Sequence, residues 1–259
     1  FSAVAIYNVA YKFVDIVHYL PSALMVPVLA MLVRSWPHDM NRFGETFHRA
    51  FTILVLACVL VAVEFLVFAR PLIAMLYGRD YAAGANAARL VVMAQCIGAF
   101  GTLAFTVLVA MGRNRLYPIV TLIGLVVNVG LNLLLIPAAS YSGAATATLI
   151  TEVIVVGIVM VPVARMEALR PLPLRPLGLT LVAGGLSALV AVVVRTVVPW
   201  PAAAVAAAAA YAVLVQITRI PGRQGWPALL AEASAGKSSP GRSQETLRAG
   251  PVSDGREQP

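Results

Sequence analysis

Residues 128–152 read NVGLNLLLIPAASYSGAATATLITE and determine how the rest of the chain is interpreted. Asn128 and Asn132 lie four positions apart in an apolar run, and positions i and i+4 share one face of an α-helix. The run ends at Pro137, and the small residues of 143–147 open a second apolar run that allows two helices to pack closely. The stretch therefore predicts a hairpin of two membrane helices with a polar lining.

The composition of the chain indicates a membrane protein. Of its 259 residues, 60% are hydrophobic and 12% are charged, and the mean hydropathy is +0.87. A soluble domain has about half its residues apolar and a quarter charged. The apolar residues form blocks of about 18 to 25, the length that crosses a hydrocarbon core of about 30 Å. Because runs such as 54–63 do not alternate at period two, a β-barrel is excluded and we expect an all-α polytopic membrane protein.

About seven transmembrane helices are expected, and the hairpin supplies the fourth and fifth. Pro21 and Pro27 each remove a helix hydrogen bond and predict a kinked or broken first helix. Residues 34–49 are predicted as a polar connection, and residues 72–89 as a piece too short and too interrupted to span, an interfacial element that leads into the span from about residue 86. The predicted spans are 2–33, 50–69, 86–111, 116–136, 143–164, 177–198 and a last one that ends near 217.

The chain divides into four predicted segments. Residues 1–165 hold five spans, residues 166–176 form a cytoplasmic Pro-rich linker, and residues 177–219 hold two additional spans. Residues 220–259 contain too few apolar side chains to offset the entropy of ordering, so we expect a disordered cytoplasmic tail.

The distribution of arginines predicts the orientation, because cytoplasmic loops carry an excess of Lys and Arg. The predicted outer side carries few of them, and the C-terminus falls on the cytoplasmic side. A chain that begins outside at Phe1, with no signal peptide, leads us to expect that N-terminal sequence is missing. The arginines expected outside are Arg70, Arg79, Arg89 and Arg195.

Chemical motifs of enzymes are missing from the sequence. There is no nucleotide-binding loop, no nucleophile with a base and no metal-ligand spacing, so we expect no enzyme activity, no cofactor and no metal. Cys58 and Cys96 fall inside predicted spans and are interpreted as packing residues. The net charge of +8 is explained by membrane topology rather than by nucleic acid.

One polar stripe follows the first predicted helix at spacings of three and four. A stripe of this polarity is expected to face a water-filled cavity rather than lipid. Lys12 and Asp15 either pair with each other and fix helix packing, or place a cation in the cavity to meet an anionic head group. A lone histidine such as His18 can also bond a backbone carbonyl. The stripe consists of Tyr7, Asn8, Tyr11, Lys12, Asp15 and His18.

Four further polar residues are candidates for the site. Asn128 and Asn132 are expected to make interhelical hydrogen bonds or to contact a ligand. Arg89 is either an interface anchor or a cavity cation. Glu152 lies in mid-span and either bonds a neighbour such as Thr148 or titrates and couples transport to protons or sodium.

The order of these features resembles the C-terminal half of polysaccharide flippases, in the superfamily that also includes multidrug and toxin extrusion exporters. The likeness covers residues 2–165. The matching pieces are AIYNVAY at 5–11, LPSAL at 20–24 with Pro27, PLI at 71–73, LYG at 76–78 with Tyr81, Asn128, LN at 131–132, LIP at 135–137, GAATAT at 143–148 and Glu152.

The resemblance implies that residues 1–165 form most of the C-terminal lobe of a flippase. Such a protein moves a polyprenyl-diphosphate-linked oligosaccharide across the cytoplasmic membrane by alternating access. The implied partners are the lipid-linked glycan, membrane lipids, possible coupling protons or sodium, and a missing N-terminal lobe or a second chain. The alternatives are a multidrug or toxin exporter of the same superfamily and a membrane-embedded glycosyltransferase or polymerase.

Overall fold

A computed structural model describes residues 3–170 and 173–218, apart from the side chains of Ala3 and Leu20. These residues form six α-helices and two short 3₁₀ helices, with no strand within the described ranges. The 3₁₀ helices are Arg79–Gly84, before α3, and Glu167–Leu169, before α5. The α-helices are α1 (Ala3–Ser35), α2 (Met40–Tyr77), α3 (Ala85–Ala110), α4 (Leu116–Ala164), α5 (Leu174–Val194) and α6 (Trp200–Ile217).

All six α-helices are long and apolar enough to cross a membrane. The protein is therefore an all-α, multi-pass membrane protein, as the sequence predicts. Apolar side chains that would face lipid remain exposed on its surface, for example Leu133 and Leu134, each 72% exposed.

α4 is folded back on itself at Ser140, whose φ of 51° and ψ of −131° are not helical. The two arms run antiparallel, because Gly143 packs against the backbone of Leu135 and Gly124 packs against Val155. Each arm extends about 36 Å at 1.5 Å per residue, enough to cross a hydrocarbon core of about 30 Å. The predicted hairpin is confirmed, and its arms correspond to the fourth and fifth predicted spans.

Local sequence signals set several helix ends. The Asp39 side chain caps α2 by accepting a hydrogen bond from the Arg42 amide at 2.9 Å. Gly78 follows α2 with a φ of 99°, and Gly112 follows α3 with a φ of 72°; glycine adopts such angles without a Cβ clash. The predicted turn at 112–115 is confirmed between α3 and α4.

Two predicted boundaries are wrong. α2 begins at Met40, inside the predicted polar connection, and continues through Pro71 to Tyr77, inside the predicted interfacial element. α1 is helical through both Pro21 and Pro27, so it is not broken. Buried side chains on both extensions of α2, such as Phe43 and Ile73, hold these segments in the helix.

The interior contains two hydrophobic clusters. The larger one joins α1, α2, α3 and α4 and includes Phe47, Leu54 and Leu103, each fully buried. The smaller one joins α2 to α5 and α6 and includes Phe68 and Ala207. α2 thus connects the first five predicted spans to the last two.

The predicted linker is partly ordered. Leu169 is fully buried, its carbonyl lies 3.3 Å from His48 Nε2, and Arg170 Nε donates to the Ala164 carbonyl at 3.2 Å. The segment 167–170 therefore docks beside the beginning of α2. Residues 171–172 and the predicted tail at 220–259 lie outside the described residues.

Candidate functional site

The polar stripe lies on the side of α1 that faces away from the protein's own core. The opposite side of α1 is apolar and buried, with Ala10 at 1% and Phe13 at 5% exposure. Along the stripe Tyr7 is half-buried, while the others are exposed. The exposed members are Asn8, Tyr11, Lys12, Asp15 and His18.

Lys12 and Asp15 do not pair. Both side chains are exposed, and neither forms a hydrogen bond or an ion pair within the described residues. The structure therefore does not contain the ion pair that would fix helix packing. The cation and the carboxylate both remain available on the outward face of α1.

The stripe meets α4 at Tyr7. The Tyr7 and Tyr11 ring centroids lie 4.8 Å apart with the ring planes tilted by 55°, and the Tyr7 hydroxyl lies close to the Tyr11 and Thr148 side chains. Thr148 itself donates to the Ala144 carbonyl at 3.1 Å. The contact joins α1 to the second arm of the hairpin.

Glu152 lies one turn after Thr148 on the same arm. It is half-buried against α3, where a Cβ added at Gly98 would lie 2.9 Å from the Glu152 Oε2 atom. Glu152 has no hydrogen-bond partner within the described residues, and Thr148 bonds its own helix instead. Because Gly98 has no side chain, it leaves room for the Glu152 carboxylate, which forms no hydrogen bond within the described residues.

His18 contacts α3 rather than a backbone carbonyl. Its Nδ1 atom lies 3.0 Å from Gln95 Nε2, so the amide donates to the ring nitrogen. The backbone carbonyl of His18 accepts from Ser22 at 2.9 Å. Gln95 therefore fixes the far end of the stripe.

The two hairpin asparagines form a network with one threonine. Asn128 Nδ2 donates to Thr151 Oγ1 at 3.2 Å, which joins the two arms, and Thr151 donates to the Ala147 carbonyl at 2.8 Å. Asn132 Nδ2 donates to both the backbone and the side-chain oxygen of Asn128, each at 2.9 Å. The interhelical bond predicted for Asn128 is present, whereas Asn132 bonds within its own arm.

Arg89 lies apart from the stripe, near the beginning of α3. Its Nη1 atom donates to Asn86 Oδ1 at 2.8 Å, and its buried Nε atom has no partner. On α2, the buried Glu64 Oε1 atom also lacks a partner among the described residues.

Three residues of the site were not among the predicted candidates. Gln95, Thr148 and Thr151 each complete a polar contact with a candidate residue on another helix or arm. In each case, the sequence feature that could have indicated the residue was a polar side chain inside an apolar span. Which candidate residue each of them contacts depends on which helices are neighbours, and the sequence pattern does not show this.

Comparison of the sequence with protein-family models and with curated proteins finds no match. Among the described residues, no three His, Cys, Asp or Glu side chains are placed to hold a metal ion. The fold and site define a multi-pass α-helical membrane protein with one polar helix face.

Proposed function

We propose that the protein is a transporter subunit that moves a polyprenyl-diphosphate-linked oligosaccharide across the cytoplasmic membrane by alternating access. The polar stripe of α1 lines the route of the sugar head group, and the lipid tail stays in the bilayer. No covalent chemistry is needed for this movement, so the protein is not an enzyme. Its C-terminus lies on the cytoplasmic side.

The outward position of the stripe carries the proposal. Lys12 and Asp15 lie about 14 and 18 Å along α1 from Ala3 at 1.5 Å per residue, in a helix of 33 residues that is long and apolar enough to cross a membrane. A charged side chain at the bilayer centre costs about 2.5–3.5 kcal/mol by insertion scales. Two unpaired charges facing lipid are therefore unfavourable, and a water-filled route avoids this cost.

The chemistry of the stripe suits a glycan attached to a phosphate-bearing lipid. Tyr and Asn side chains donate to and accept from sugar hydroxyls, and the Lys12 ammonium meets the diphosphate as a point charge. Glu152 lies one turn beyond the Tyr7–Thr148 contact and is unbonded within the described residues. In this proposal, Glu152 binds the coupling proton or sodium ion.

A route through the membrane needs a second polar wall opposite α1. The exposed stripe has no such wall within the described residues, because α3 and α4 pack at its edge through Gln95 and Thr148. We propose that further helices of a longer protein, or a second chain, supply the facing lobe, as in the flippases that the sequence resembles.

Disruption of the gene in its own organism tests the proposal. Loss of the flippase should abolish surface polysaccharide and leave lipid-linked oligosaccharide trapped on the cytoplasmic leaflet. Wild-type protein should restore both, whereas Lys12→Ala should restore less than about a tenth of the polysaccharide, the scale of a lost charge-assisted contact.

Arg34→Ala is the matched control, because Arg34 is an exposed cation at the end of the same helix and outside the stripe. It should restore polysaccharide fully at equal protein level. Absence of the lipid-linked oligosaccharide itself would indicate a glycosyltransferase. Unchanged polysaccharide with increased sensitivity to cationic drugs would indicate an exporter, and either result would overturn the proposal.

A further inference from the structure

Three arginines from different helices converge on one cavity of about 420 Å³. Arg70 lies in α2 just before Pro71, Arg89 lies in the second turn of α3, and Arg195 follows the last residue of α5. We call this space the three-arginine cavity. Its position involves neither the stripe of α1 nor the α4 hairpin.

The charged groups that line the cavity are all positive. Its lining contains three guanidinium groups and the Asn86 amide, and no carboxylate. Arginine stays protonated at every physiological pH. None of the three arginines forms an ion pair within the described residues. Three positive charges therefore share a space without a counterion from the described chain.

Carboxylates on neighbouring elements do not neutralise the three arginines. Asp80, in the 3₁₀ helix before α3, is exposed and does not line the cavity. Glu64 precedes Arg70 by six residues on α2, about 9 Å along the helix axis, and is not part of the lining either.

One hydrogen-bond donor of the cavity lining lacks an acceptor among the described residues. Arg89 is oriented by its bond to Asn86 Oδ1, and its buried Nε–H has no partner. The N-terminus of α3 at Ala85 borders the same space, and the Ala85 amide already donates to the Ala82 carbonyl of the preceding 3₁₀ helix. The arginines therefore supply the positive charge of the cavity.

One side of this region is apolar. A neighbouring pocket of about 430 Å³ shares Arg70 and Arg195 and is bordered by Phe68 and Trp200. The two rings lie 6.4 Å apart, and Trp200 begins α6. Trp at the end of a membrane helix suits the interface between hydrocarbon and head groups. A cationic cavity beside an aromatic wall fits a ligand with an anionic head and an apolar tail.

We propose that the three-arginine cavity binds the phosphate head group of an anionic membrane lipid. The guanidinium groups donate to the phosphate oxygens, in the forked geometry that arginine offers to phosphate, and the acyl chains lie along the half-buried Trp200. The site holds α2, α3, α5 and α6 together at one membrane surface. It is independent of the proposed transport function, and its test measures no transport.

Native mass spectrometry of the purified full chain tests this proposal with phosphatidylglycerol and phosphatidylcholine as probes. Phosphatidylglycerol should bind about tenfold more tightly than phosphatidylcholine, and this preference should fall with salt. Arg195→Gln should weaken phosphatidylglycerol binding about tenfold, as expected when one charge-assisted contact is lost. Arg89→Gln should act in the same direction.

Arg175→Gln provides the matched control, because Arg175 is exposed at the opposite end of the same helix α5. It should leave phosphatidylglycerol binding unchanged. Since Arg195 is exposed, Arg195→Gln should keep the unfolding temperature of the lipid-free protein, which separates lost binding from lost folding.

Two results would overturn the proposal. If Arg195→Gln and Arg175→Gln retain phosphatidylglycerol equally, the cavity does not bind the head group. If inorganic phosphate binds and displaces no lipid, the cavity is a site for a free anion and the lipid assignment is wrong.

Discussion

Gly143→Ala adds only one methyl group. We nevertheless expect it to destabilise the hairpin of α4 strongly. A Cβ built at Gly143 overlaps the Leu135 carbonyl and lies 3.1 Å from the Ile136 amide nitrogen. Both are backbone atoms, so no side chain can rotate away, and the arms must separate. Overpacking of this kind costs about 1–3 kcal/mol.

Gly130→Ala gives the matched comparison, because a Cβ at Gly130 meets nothing within 4 Å. Both changes replace glycine by alanine within α4, so the gain in helix propensity of up to about 1 kcal/mol is common to both and cancels. The difference between the two variants then measures the contact. At about 2 kcal/mol, it corresponds to about 4–8 °C in unfolding temperature for a chain of this size.

A thiol-reactive fluorophore can follow this unfolding. The sequence contains two cysteines, and both Cys58 and Cys96 are free and buried, so they react only when the helices separate. Gly143→Ala should unfold several degrees below the wild type in detergent, and Gly130→Ala at or slightly above it. Equal unfolding temperatures for the two variants would refute the close packing of the arms at Gly143.

Two further predictions concern a buried hydroxyl and the polar stripe. Tyr211→Phe removes the 2.7 Å bond from the buried hydroxyl to the Leu56 carbonyl. It should lower the unfolding temperature by about 1–2 °C if the bond contributes about 0.6 kcal/mol, the average for a membrane hydrogen bond, and by up to about 7 °C at the upper value of about 1.7 kcal/mol. Tyr117→Phe, at an exposed site, should not lower it. In a background without the native cysteines, Asp15→Cys should react with a membrane-impermeant thiol reagent and Ile16→Cys should not, although both sites are exposed on α1, because Ile16 lies about 100° around the helix from Asp15 and outside the stripe. Equal labelling would contradict a water-filled route along the stripe.

The α4 hairpin could be predicted from sequence because its determinants are local. The break requires only Pro137 and the turn that follows, and close packing requires only the small side chains from Gly143 onward. The hydrogen bond from Asn128 to the second arm follows from the way the two arms are aligned by this turn. The sequence signals that predict the α4 hairpin lie within about twenty residues of each other, and they were sufficient to predict it.

The length of α2 could not be predicted in the same way. The polar residues of 40–49 and the Arg70-Pro71 pair both indicate a helix boundary, but tertiary packing overrides them. Phe43 and Phe47 are fully buried, and Ile73 is 1% exposed. The four-residue spacing of the two phenylalanines was a helical signal within the polar stretch.

The site shows the same division between local and distant determinants. The stripe was predictable, since its members share one helix face. Its contacts with Gln95 and Thr148 depend on which helices are neighbours. The grouping of Arg70 with Arg195 joins a residue of α2 to the residue that directly follows α5, and the two are far apart in the chain.

α2 has 38 residues and is about 57 Å long at 1.5 Å per residue, well beyond a hydrocarbon core of about 30 Å. It carries the docked 167–170 segment beside His48 at one end and Arg70 near the other. α2 is therefore long enough to extend beyond the hydrocarbon core at both ends. A tilt of about 10° about its midpoint would move its two ends, and the groups that they carry, by about 5 Å in opposite directions.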